Sequence, residues 1–375
     1  MDTGALLASH HRSIDAIEPA DWNSLEHSSV VCPASGWTPA HVTVHEGLVL
    51  LGAMPLYAKS HSWGEFVFDF TWAEAYRRHG LPYYPKLVAA TPFTPATGPR
   101  LLVRPGADAL RVRRALIASA LEATPAASSL HVQFPTAAET EWLGGEGFLT
   151  RLDCQFHWQN RGFGSFDDFL GSFTAEKRKK AKRERRRVEE AGVRFEMRLA
   201  GELSTPEWQR VYELHASTFH RHGHEPYLNP GFFAEVARQE AIAPRVLLAR
   251  HHGDIIATAI FFEGREALYG RYWGAAGEFH SLHFEACYHQ GIEYCIAKGL
   301  TRFEPGTQGE HKIARGFSPT LTASAHFIRE ARFRTAIERY LVDERAAIRA
   351  YAADAAGHVP YRDAVPLPDL PPDDA

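Results

Sequence analysis

A short polar segment in the C-terminal half of the chain collects side chains suited to acid–base and anion-binding chemistry. Residues 304–317 combine carboxylates, an amide, an imidazole and cations with three glycines. The polar members are Glu304, Gln308, Glu310, His311, Lys312 and Arg315. The segment follows an apolar helix and strand, a position where a rigid scaffold commonly holds functional residues. We therefore expect a site here; the alternative is a solvated surface loop.

The types of these side chains indicate separate roles. A carboxylate, Glu304 or Glu310, could act as a general base, and His311 could move a proton near neutral pH. Lys312 and Arg315 would hold a phosphate or carboxylate, because residues three apart share one face of a helix. The predicted catalytic set is Glu304, Glu310, His311 and Lys312. The alternative is that Glu304 and Arg315 form an ion pair without a chemical role.

The preceding predicted strand and the first half of the chain offer further pocket residues. Arg271-Tyr272-Trp273 supplies a cation and two aromatic rings, and Tyr83, Tyr84, Lys86 and Arg100 could complete a cleft. The predicted substrate-binding set is Arg271, Tyr272, Trp273, Gln308, Arg315, Tyr84 and Lys86. The alternative for Tyr272 and Trp273 is an ordinary core position.

Positive charge is concentrated in one predicted helix. Residues 177–187 carry nine Lys or Arg and one Glu, or +8, so the rest of the chain sums to -12 to give the net -4. Rows of Lys and Arg bind polyphosphates with an affinity that falls steeply with salt. The residues expected to bind an anion or RNA are Lys177, Lys179, Lys180, Arg183 and Arg186. The alternative is a solvated helix steadied by Glu176–Lys180 and Glu184–Lys180 pairs.

Length and composition indicate a soluble globular protein. The chain has 375 residues, 45% hydrophobic and 23% charged, which predicts two domains rather than one core. The four cysteines form no CxxC pair, and Cys287 and Cys295 lie too far apart on a predicted helix to bridge. No apolar stretch resembles a signal peptide or a membrane span. We expect a cytoplasmic protein.

The elements that must position these side chains alternate strands with helices. Ser281 is the predicted N-cap of a helix, with its hydroxyl accepting from a first-turn backbone N–H. The apolar residues of this helix recur at steps of three and four, Gly299 ends it, and a strand at 301–304 leads into the polar segment. Each half reads as a strand hairpin, a third strand, a helix, a strand, a short helix or loop, and a last strand. This order predicts an α/β (α+β) fold of tandem domains, each a mixed twisted sheet flanked by helices.

The first half sets the expected boundaries. Its hairpin strands are predicted at 41–44 and 49–57, and the apolar run 66–70 is the expected third strand. Residues 91–99 hold three prolines and should be irregular. The predicted organisation is an N-terminal domain over 1–160, a basic connecting helix over 161–192, a C-terminal domain over 193–345 and a Pro-rich tail over 346–375 that is extended or disordered.

Two other classes of site are not supported by the sequence. His220, His222 and His224 lack the glutamate-containing helical spacing of a zinc hydrolase, and no cysteine cluster offers a structural metal site. No Gly-x-Ser-x-Gly elbow indicates a serine hydrolase. We expect no metal and no tightly bound cofactor.

The order of hairpin, strand, helix and strand resembles the GNAT acyltransferase fold, and a tandem pair resembles the FemAB-type peptidyltransferases. Three segments are similar to the FemAB-like family labelled peptidoglycan biosynthesis/recognition. They are Tyr84-Pro85-Lys86 with the Pro-rich run up to Arg100, Cys154-Gln155-Phe156-His157-Trp158 with the basic helix, and His283-Phe284-Glu285 with the segment from Phe303 to Phe317. Lys312 with Gly316-Phe317 also resembles the Phe-Lys-x-Gly-Phe-Gly segment of Fem ligases.

This resemblance implies transfer of an acyl group to an amine. The amine attacks an activated carbonyl, a base takes its proton, and backbone N–H groups of a splayed strand stabilise the oxyanion. The cleft would lie where the central strands of the second domain splay, near Glu304 and the 308–315 loop. The resemblance to Fem enzymes implies aminoacyl-tRNA as the donor, and we expect a small amine-bearing molecule as the acceptor.

The sequence favours an acyl-CoA donor less. The turn 274–281 has two glycines but lacks the Gly-x-Gly/Ala run that holds pyrophosphate, and Glu278 would repel phosphate. A second hypothesis makes the chain a non-catalytic binding protein that docks RNA or an anionic surface through its basic helix. Replacing His311 and Lys312 together distinguishes the two, because turnover would be lost in the first case and binding retained in the second.

Overall fold

The computed structural model describes residues 6–11, 35–239, 244–277, 279–307 and 309–363. The described residues up to Asp153 form one compact unit with Thr322–Arg349, and the described residues of Cys154–Leu321 form a second with residues 350–363. Both combine strands and helices, which confirms the predicted mixed α/β class. Among the described residues, no helix is both long and apolar enough to span a bilayer.

Strands and helices alternate along the described chain. The elements before α4 are β1 (Leu6–His11), β2 (Trp37–Pro39), β3 (His41–Glu46), β4 (Val49–Met54), β5 (Leu56–Lys59), α1 (Phe70–Arg78), β6 (Lys86–Ala89), β7 (Leu102–Val103), α2 (Ala109–Ala123), β8 (Ser129–Gln133), α3 (Ala137–Gly145) and β9 (Leu149–Gln159). They are followed by α4 (Phe166–Gly171), α5 (Ala175–Glu190), β10 (Arg194–Leu199), α6 (Thr205–Arg221), α7 (Pro230–Arg238), β11 (Arg245–His251), β12 (Asp254–Glu263), β13 (Ala267–Ala275), α8 (Leu282–Phe284), α9 (Gln290–Lys298), β14 (Arg302–Glu304), β15 (Ser318–Ile328) and α10 (Ala331–Ala356).

The first unit contains two arrays of strands. An antiparallel sheet has the order β1-β3-β4-β7, and its β3–β4 pair confirms the predicted hairpin. A second array runs β15-β8-β6-β5-β2, with β6 and β8 parallel. α2 packs on the first sheet because Val112, Leu116 and Ala120 recur every four residues and form a buried apolar face.

The predicted third strand at 66–70 is wrong. Residues 66–69 are irregular, and Phe66 and Gly64 have φ values of 60° and 80°, left-handed conformations that interrupt a strand. The strand that follows the hairpin is β5, which the prediction had merged with β4. The loop at 60–69 instead carries Glu65 and Asp69 into contact with the buried Lys86.

In the second unit the strand order is β10-β11-β12-β13-β14-β9. The β13–β14 pair is parallel and comprises Ala267↔Arg302, Leu268↔Phe303 and Tyr269↔Glu304. β14 ends there, whereas β13 continues to Ala275. The pairing of the two strands therefore ends at Glu304, directly before the segment that carries the predicted site.

The connection from β13 to β14 is the helix predicted after Ser281. It consists of α8, a π-helical turn at Glu285–His289 and α9, and it ends at Gly299, whose φ is 68°. Ser281 makes no side-chain capping hydrogen bond, so the predicted capping by its hydroxyl is wrong. Gly291 lets the helix approach β14, because a Cβ there would lie 2.5 Å from the Phe303 ring.

Several boundaries differ from the predicted organisation, and one of them is that Thr322–Arg349 belong to the first unit rather than to the C-terminal domain. Residues 346–356 belong to α10 rather than to an extended tail, and the basic helix α5 lies inside the second unit. Beyond α10, Tyr361 is buried and its hydroxyl donates to the carbonyl of Gly316. The chain after the helix is thus fixed to the loop that carries the predicted site.

Candidate active site

The candidate site begins where the pairing of β13 and β14 ends. Pro305 and Gly306 follow β14, and Glu310–Arg315 form a 3-10 helix. Gly270 of β13 permits the close passage of this segment, because a Cβ there would lie 3.2 Å from the Cα of Pro305. In a 3-10 helix residues three apart eclipse one another, so Lys312 and Arg315 project from the same side.

Lys312 is the most unusual residue of the segment. Its side chain is 2% exposed, and its ammonium donates to the Gly306 carbonyl at 2.6 Å. Burial lowers the pKa of Lys312 from 10.5 to about 7. No carboxylate of the described residues pairs with it. A buried amine without a counter-charge is typical of a chemical role, and it is neutral in a large fraction of molecules at pH 7.

His311 lies beside Lys312 at the surface. Its Nε2 is 2.7 Å from the Tyr288 hydroxyl, and its ring centroid is 6.0 Å from that of His283. Burial, followed by Lys312 and Arg315, lowers the pKa of His311. Burial, together with His311 and those cations, lowers the pKa of His283 to about 4. Both imidazoles are therefore neutral near pH 7, and His311 can exchange protons with solvent.

Arg315 joins this segment to the basic helix. Its Nη2 lies 3.0 Å from both carboxylate oxygens of Glu184, and its Nη1 donates to the His311 carbonyl at 2.8 Å. The guanidinium carbon is 3.5 Å from the centroid of the Phe284 ring. Arg315 thus binds protein groups on several sides, and the ion pair considered for Arg315 and Glu304 is not formed.

The other predicted residues of this loop differ in how far they are buried. Glu304 is 4% exposed, and its carboxylate lies 2.7 Å from the Nε of Arg302. Glu310 is exposed and accepts from the Tyr351 hydroxyl at 2.8 Å. Gln308 lies outside the described residues. Of the predicted general bases, Glu304 is therefore the one inside the protein.

The three predicted residues of β13 are divided between the two faces of the sheet, because neighbouring side chains on a strand alternate. The Trp273 ring is 5.3 Å from that of His283, so Trp273 joins the His311 side of the site. Tyr272 faces the other way, with its ring 4.7 Å from that of His215 on α6. The Arg271 guanidinium lies 5.7 Å from the Tyr272 ring centroid. Tyr272 and Trp273 are both partly exposed.

Gly274, the first glycine of the predicted turn, lies in the last part of β13 and is required by helix packing. A Cβ on Gly274 would lie 2.0 Å from the carbonyl oxygen of Leu214 on α6, so only glycine fits there. His280, at the end of the turn, lies 2.7 Å from the Arg187 guanidinium, and Glu278 is outside the described residues. The glycine is explained without a bound pyrophosphate.

The basic helix α5 is anchored on one side and charged on the other. Ala181 and Val188 are buried, and Arg185 binds Glu285 at 3.0 Å and Glu293 at 2.7 Å. These contacts fix the helix to α9 and the π-helical turn. The anchored side explains how a helix with so many cations is held in place.

The free cations of α5 lie toward its N-terminal end. Within the described chain, the basic side chains of this helix with no hydrogen-bond or ion-pair partner are Lys177, Arg178, Lys179, Lys180 and Arg183. Arg186, also predicted to bind an anion, lies 3.6 Å from Glu190. The considered pairs Glu176–Lys180 and Glu184–Lys180 are not formed. We call Lys177, Arg178, Lys179, Lys180 and Arg183 the basic patch.

Tyr84 and Lys86 belong to the first unit, where Lys86 is 0% exposed. Its ammonium lies 2.8 Å from Glu65 and 2.5 Å from Asp69. Burial alone would lower the pKa of Lys86, but these carboxylates raise it above its ordinary value. Tyr84 is partly exposed, with its hydroxyl 2.8 Å from the Ser62 hydroxyl. Lys86 is therefore a buried ion-pair residue, which corrects the expectation that it lines a cleft.

Sequence reasoning missed several residues around Lys312. Tyr288 and Glu184 were not singled out, although Tyr288 lies four residues after Phe284 and so shares its helix face. His157 on β9 is 3% exposed, and burial, then Arg302 and Lys312, lowers its pKa to about 3. In the part of the chain that the structure describes, no group of His, Cys, Asp or Glu could hold a metal ion.

Solved structures share the fold of most of this chain. FemX aligns with a TM-score of 0.51 at 13% identity, covering 82% of this chain and 92% of FemX. L-PGS from Bacillus licheniformis aligns with a TM-score of 0.51 at 10% identity, covering 78% of this chain and 85% of L-PGS. A tandem GNAT protein from the clavulanic acid biosynthesis pathway is similar at a TM-score of 0.45 and 12% identity, covering 86% and 98%. The fold is the tandem GNAT-like fold expected from the sequence.

Comparison with sequence families assigns this chain to a family, whereas the solved structures show only its fold. The comparison with curated proteins found no match. The model of the FemAB-like family, described as peptidoglycan biosynthesis/recognition, matches residues 14–363. This range contains Lys312, the basic helix and each segment that carried the resemblance. With nearly its whole length matched, the chain belongs to the FemAB-like family.

Proposed function

We propose that the protein is an acyl- or aminoacyltransferase that forms an amide between an activated carbonyl donor and a small amine-bearing acceptor. The observation that carries the proposal is Lys312, a buried amine without a carboxylate partner, whose ammonium contacts the segment that follows the last β13–β14 pair. Lys86 provides the contrast, because its buried charge is matched by two carboxylates. Membership of the FemAB-like family and the GNAT-like fold support a transferase of this class.

The reaction needs a group that takes the proton of the attacking amine. Neutral Lys312 accepts that proton while the amine nitrogen forms a bond to the carbonyl carbon. The bond from this carbon to the leaving oxygen or sulfur breaks, and the leaving group receives a proton from protonated Lys312. Glu304 is the second candidate base, and His311, linked to Tyr288, exchanges protons between the site and solvent. Trp273 lines the acceptor side by its contact with His283.

The proposed donor is aminoacyl-tRNA rather than acyl-CoA. The basic patch offers cations that no described side chain neutralises, and such a row binds a polyphosphate backbone. Arg315 connects α5 to the loop beside Lys312, so a donor held on α5 would lie against elements of the site. Aminoacyl-tRNA is cytoplasmic, and Cys154, Cys287 and Cys295 form no disulfide, so we place the reaction in the cytoplasm without a tightly bound cofactor.

The test is a titration of the full chain with charged and uncharged tRNA at several salt concentrations, with acetyl-CoA and longer acyl-CoAs alongside. We expect tight tRNA binding that prefers the aminoacylated form and falls steeply with salt. Saturable CoA binding without a tRNA preference would identify acyl-CoA as the donor and leave the transferase proposal in place. Binding of neither would overturn both donors, and RNA binding without turnover would favour the binding-protein hypothesis.

A further inference from the structure

Two tyrosines near the C-terminal end of the described chain contact the 3-10 helix of the candidate site at both of its ends. The Tyr351 hydroxyl donates to the carboxylate of Glu310, the first residue of this helix, at 2.8 Å. The Tyr361 hydroxyl donates to the carbonyl of Gly316, the residue that follows the helix. Lys312 therefore lies between two points at which later parts of the chain hold the loop.

The contact of Tyr361 is the buried one of the two. Tyr361 is 7% exposed, whereas Tyr351 and Glu310 are exposed to solvent. Water can replace an exposed hydrogen bond, but a buried carbonyl that loses its donor is left unsatisfied. Burial also raises the pKa of Tyr361, so its hydroxyl stays protonated and remains a donor at ordinary pH. The loop should therefore depend more on Tyr361 than on Tyr351.

One buried peptide group connects Tyr361 to Lys312. This group joins Gly316 to Phe317, and its oxygen accepts from the Tyr361 hydroxyl. Its N–H, which belongs to Phe317, donates to the carbonyl of Lys312 at 3.3 Å. Gly316 has a φ of 90°, a left-handed conformation that glycine adopts at little cost. The orientation of this peptide plane therefore links the Tyr361 hydroxyl to the backbone of Lys312.

Tyr361 is itself held by the segment that precedes the basic helix α5. It forms an antiparallel bridge with Phe173, and the two ring centroids are 5.3 Å apart. Backbone hydrogen bonds of 2.9 Å join the residues on either side of this bridge. The Arg161 guanidinium carbon lies 4.1 Å from the centroid of the Tyr361 ring. These neighbours set the position from which the hydroxyl reaches the loop.

The surroundings of Lys312 exclude water without supplying a counter-charge. The titratable and charged groups around it are Cys287 of the π-helical turn, His157 of β9, His283 of α8, and His311 and Arg315 of its own helix. This set contains no carboxylate, and the ammonium donates to the Gly306 carbonyl. An amine in such surroundings regains its ordinary preference for the charged form once water reaches it. A looser loop would therefore change the protonation of Lys312.

We propose that Tyr361 is a positioning residue of the candidate site: its hydroxyl, acting through the Gly316 carbonyl, holds the loop in the conformation that keeps the Lys312 amine away from water. The catalytic consequence rests on the proposed function, in which Lys312 takes the proton of the attacking amine. The structural role of Tyr361 does not, because it can be measured without turnover.

The test compares Tyr361→Phe with the wild type in the full chain, since phenylalanine keeps the ring and removes only the hydroxyl. We expect amide hydrogen exchange over residues 309–317 to become about tenfold faster. NMR of protein labelled with 13C-lysine follows the titration of Lys312, whose signal is assigned by its absence in Lys312→Met. Its midpoint should rise by roughly one pH unit or more from about 7.

The matched control is Tyr294→Phe, which removes a tyrosine hydroxyl elsewhere in the same unit. This hydroxyl donates to Glu263 on β12 at 2.6 Å, so the variant loses a hydrogen bond that does not involve the loop. The exchange over residues 309–317 and the titration midpoint of Lys312 should both stay as in the wild type.

Unchanged exchange in Tyr361→Phe, or an equal increase in the control, would overturn the proposal. Faster exchange with an unchanged midpoint would overturn it as well, because the hydroxyl would then hold the loop without affecting Lys312. A wild-type midpoint of about 10, the ordinary value of lysine, would overturn the neutral Lys312 of the proposed function. The exchange measurement would still decide whether Tyr361 holds the loop, so the two failures remain distinguishable.

Discussion

Arg315 and Glu184 connect the candidate loop to the basic helix through one guanidinium nitrogen that lies 3.0 Å from both carboxylate oxygens. Their side chains are 8% and 13% exposed, so solvent screens this pair far less than a surface ion pair. The same guanidinium holds the carbonyl of His311, the residue before Lys312. The position of α5 and the conformation of the loop are therefore linked.

Glu184→Gln should weaken this link. Arg315 would remain largely buried without its counter-charge, and we expect the free energy of unfolding in urea to fall by about 1.5–3 kcal/mol. Turnover should fall as well, because the loop around His311 loses its support. Glu189→Gln, an exposed change on the same helix, is the control and should stay within roughly 0.5 kcal/mol of the wild type. Equal losses in the two variants would show that the pair does not support the loop.

Lys312→Met should raise stability at low pH. The pKa of Lys312 is about 7 in the folded protein, whereas an unfolded lysine titrates near 10.4. Because the unfolded state binds the proton more tightly, Lys312 lowers the free energy of unfolding. This destabilisation is complete below pH 7 and disappears as the pH rises toward 10. At pH 6 we expect the free energy of unfolding of the variant to be roughly 2–4 kcal/mol higher than that of the wild type. Between pH 7 and pH 10 the free energy of unfolding of the wild type should rise, whereas that of the variant should not. Urea unfolding at pH 6 and pH 10 measures both.

The same residue should control the rate. If neutral Lys312 takes the proton of the acceptor, kcat/KM rises with pH through about 7 and then levels. Lys312→Met should lower kcat by about 100-fold or more and remove this rise. Lys298→Met, an exposed change on α9, should leave the profile unchanged. A variant that retains the wild-type rise would assign the proton transfer to another group, with Glu304 the next to test.

Local signals predicted most elements of the second unit. β14 at Arg302–Glu304 lies within the predicted strand 301–304, and Gly299 ends α9 in the left-handed conformation expected of a helix stop. These features depend on residues that are close in the chain. The helix α10 was missed although Phe333, Ile337 and Leu341 recur every four residues and are buried, a periodic signal that could have revealed it.

The surroundings of Lys312 could not be predicted in the same way. Glu184 lies on α5 and Tyr288 on the π-helical turn, and they meet Arg315 and His311 through packing between distant segments. No local pattern encodes such contacts. Similarly, Lys86 was predicted to contact a substrate, but it forms ion pairs with Glu65 and Asp69. These two residues lie in the irregular loop at 60–69, part of which was predicted to be a strand because residues 66–70 are apolar.

Neutralising the basic patch should reduce RNA binding and its salt dependence together. Each phosphate contact contributes about 0.7–0.9 to the slope of log affinity against log salt. The triple change of Lys179, Lys180 and Arg183 to Ala should therefore lower this slope by about 2–3, while the helix stays anchored by Arg185. Binding isotherms with tRNA at several salt concentrations measure the effect.

The control for the basic patch removes equal charge elsewhere. Changing Lys298, Arg332 and Arg339 to Ala replaces three exposed cations outside α5 and should leave the slope nearly unchanged. Equal decreases in the two triple variants would attribute binding to the overall charge of the protein rather than to this surface.

Lys86→Met and Lys59→Met should have very different costs, although both lysines are 0% exposed. Without Lys86, the carboxylates of Glu65 and Asp69 lose their buried counter-charge, and we expect a loss of about 3–5 kcal/mol in the free energy of unfolding. Lys59 donates to the Trp63 carbonyl at 3.1 Å, and burial, only partly opposed by Glu65, lowers its pKa to about 8.

Because the folded state disfavours the charged form of Lys59, this residue lowers the free energy of unfolding. The destabilisation is complete below pH 8 and declines as the pH rises toward 10. Lys59→Met should therefore be nearly neutral or stabilising at pH 7, when the two variants are unfolded in urea under the same conditions. A small loss in Lys86→Met, combined with weaker binding of the acceptor, would contradict the ion-pair role and restore Lys86 as a substrate contact. A large loss with unchanged binding would establish that the network around Lys86 stabilises the first unit.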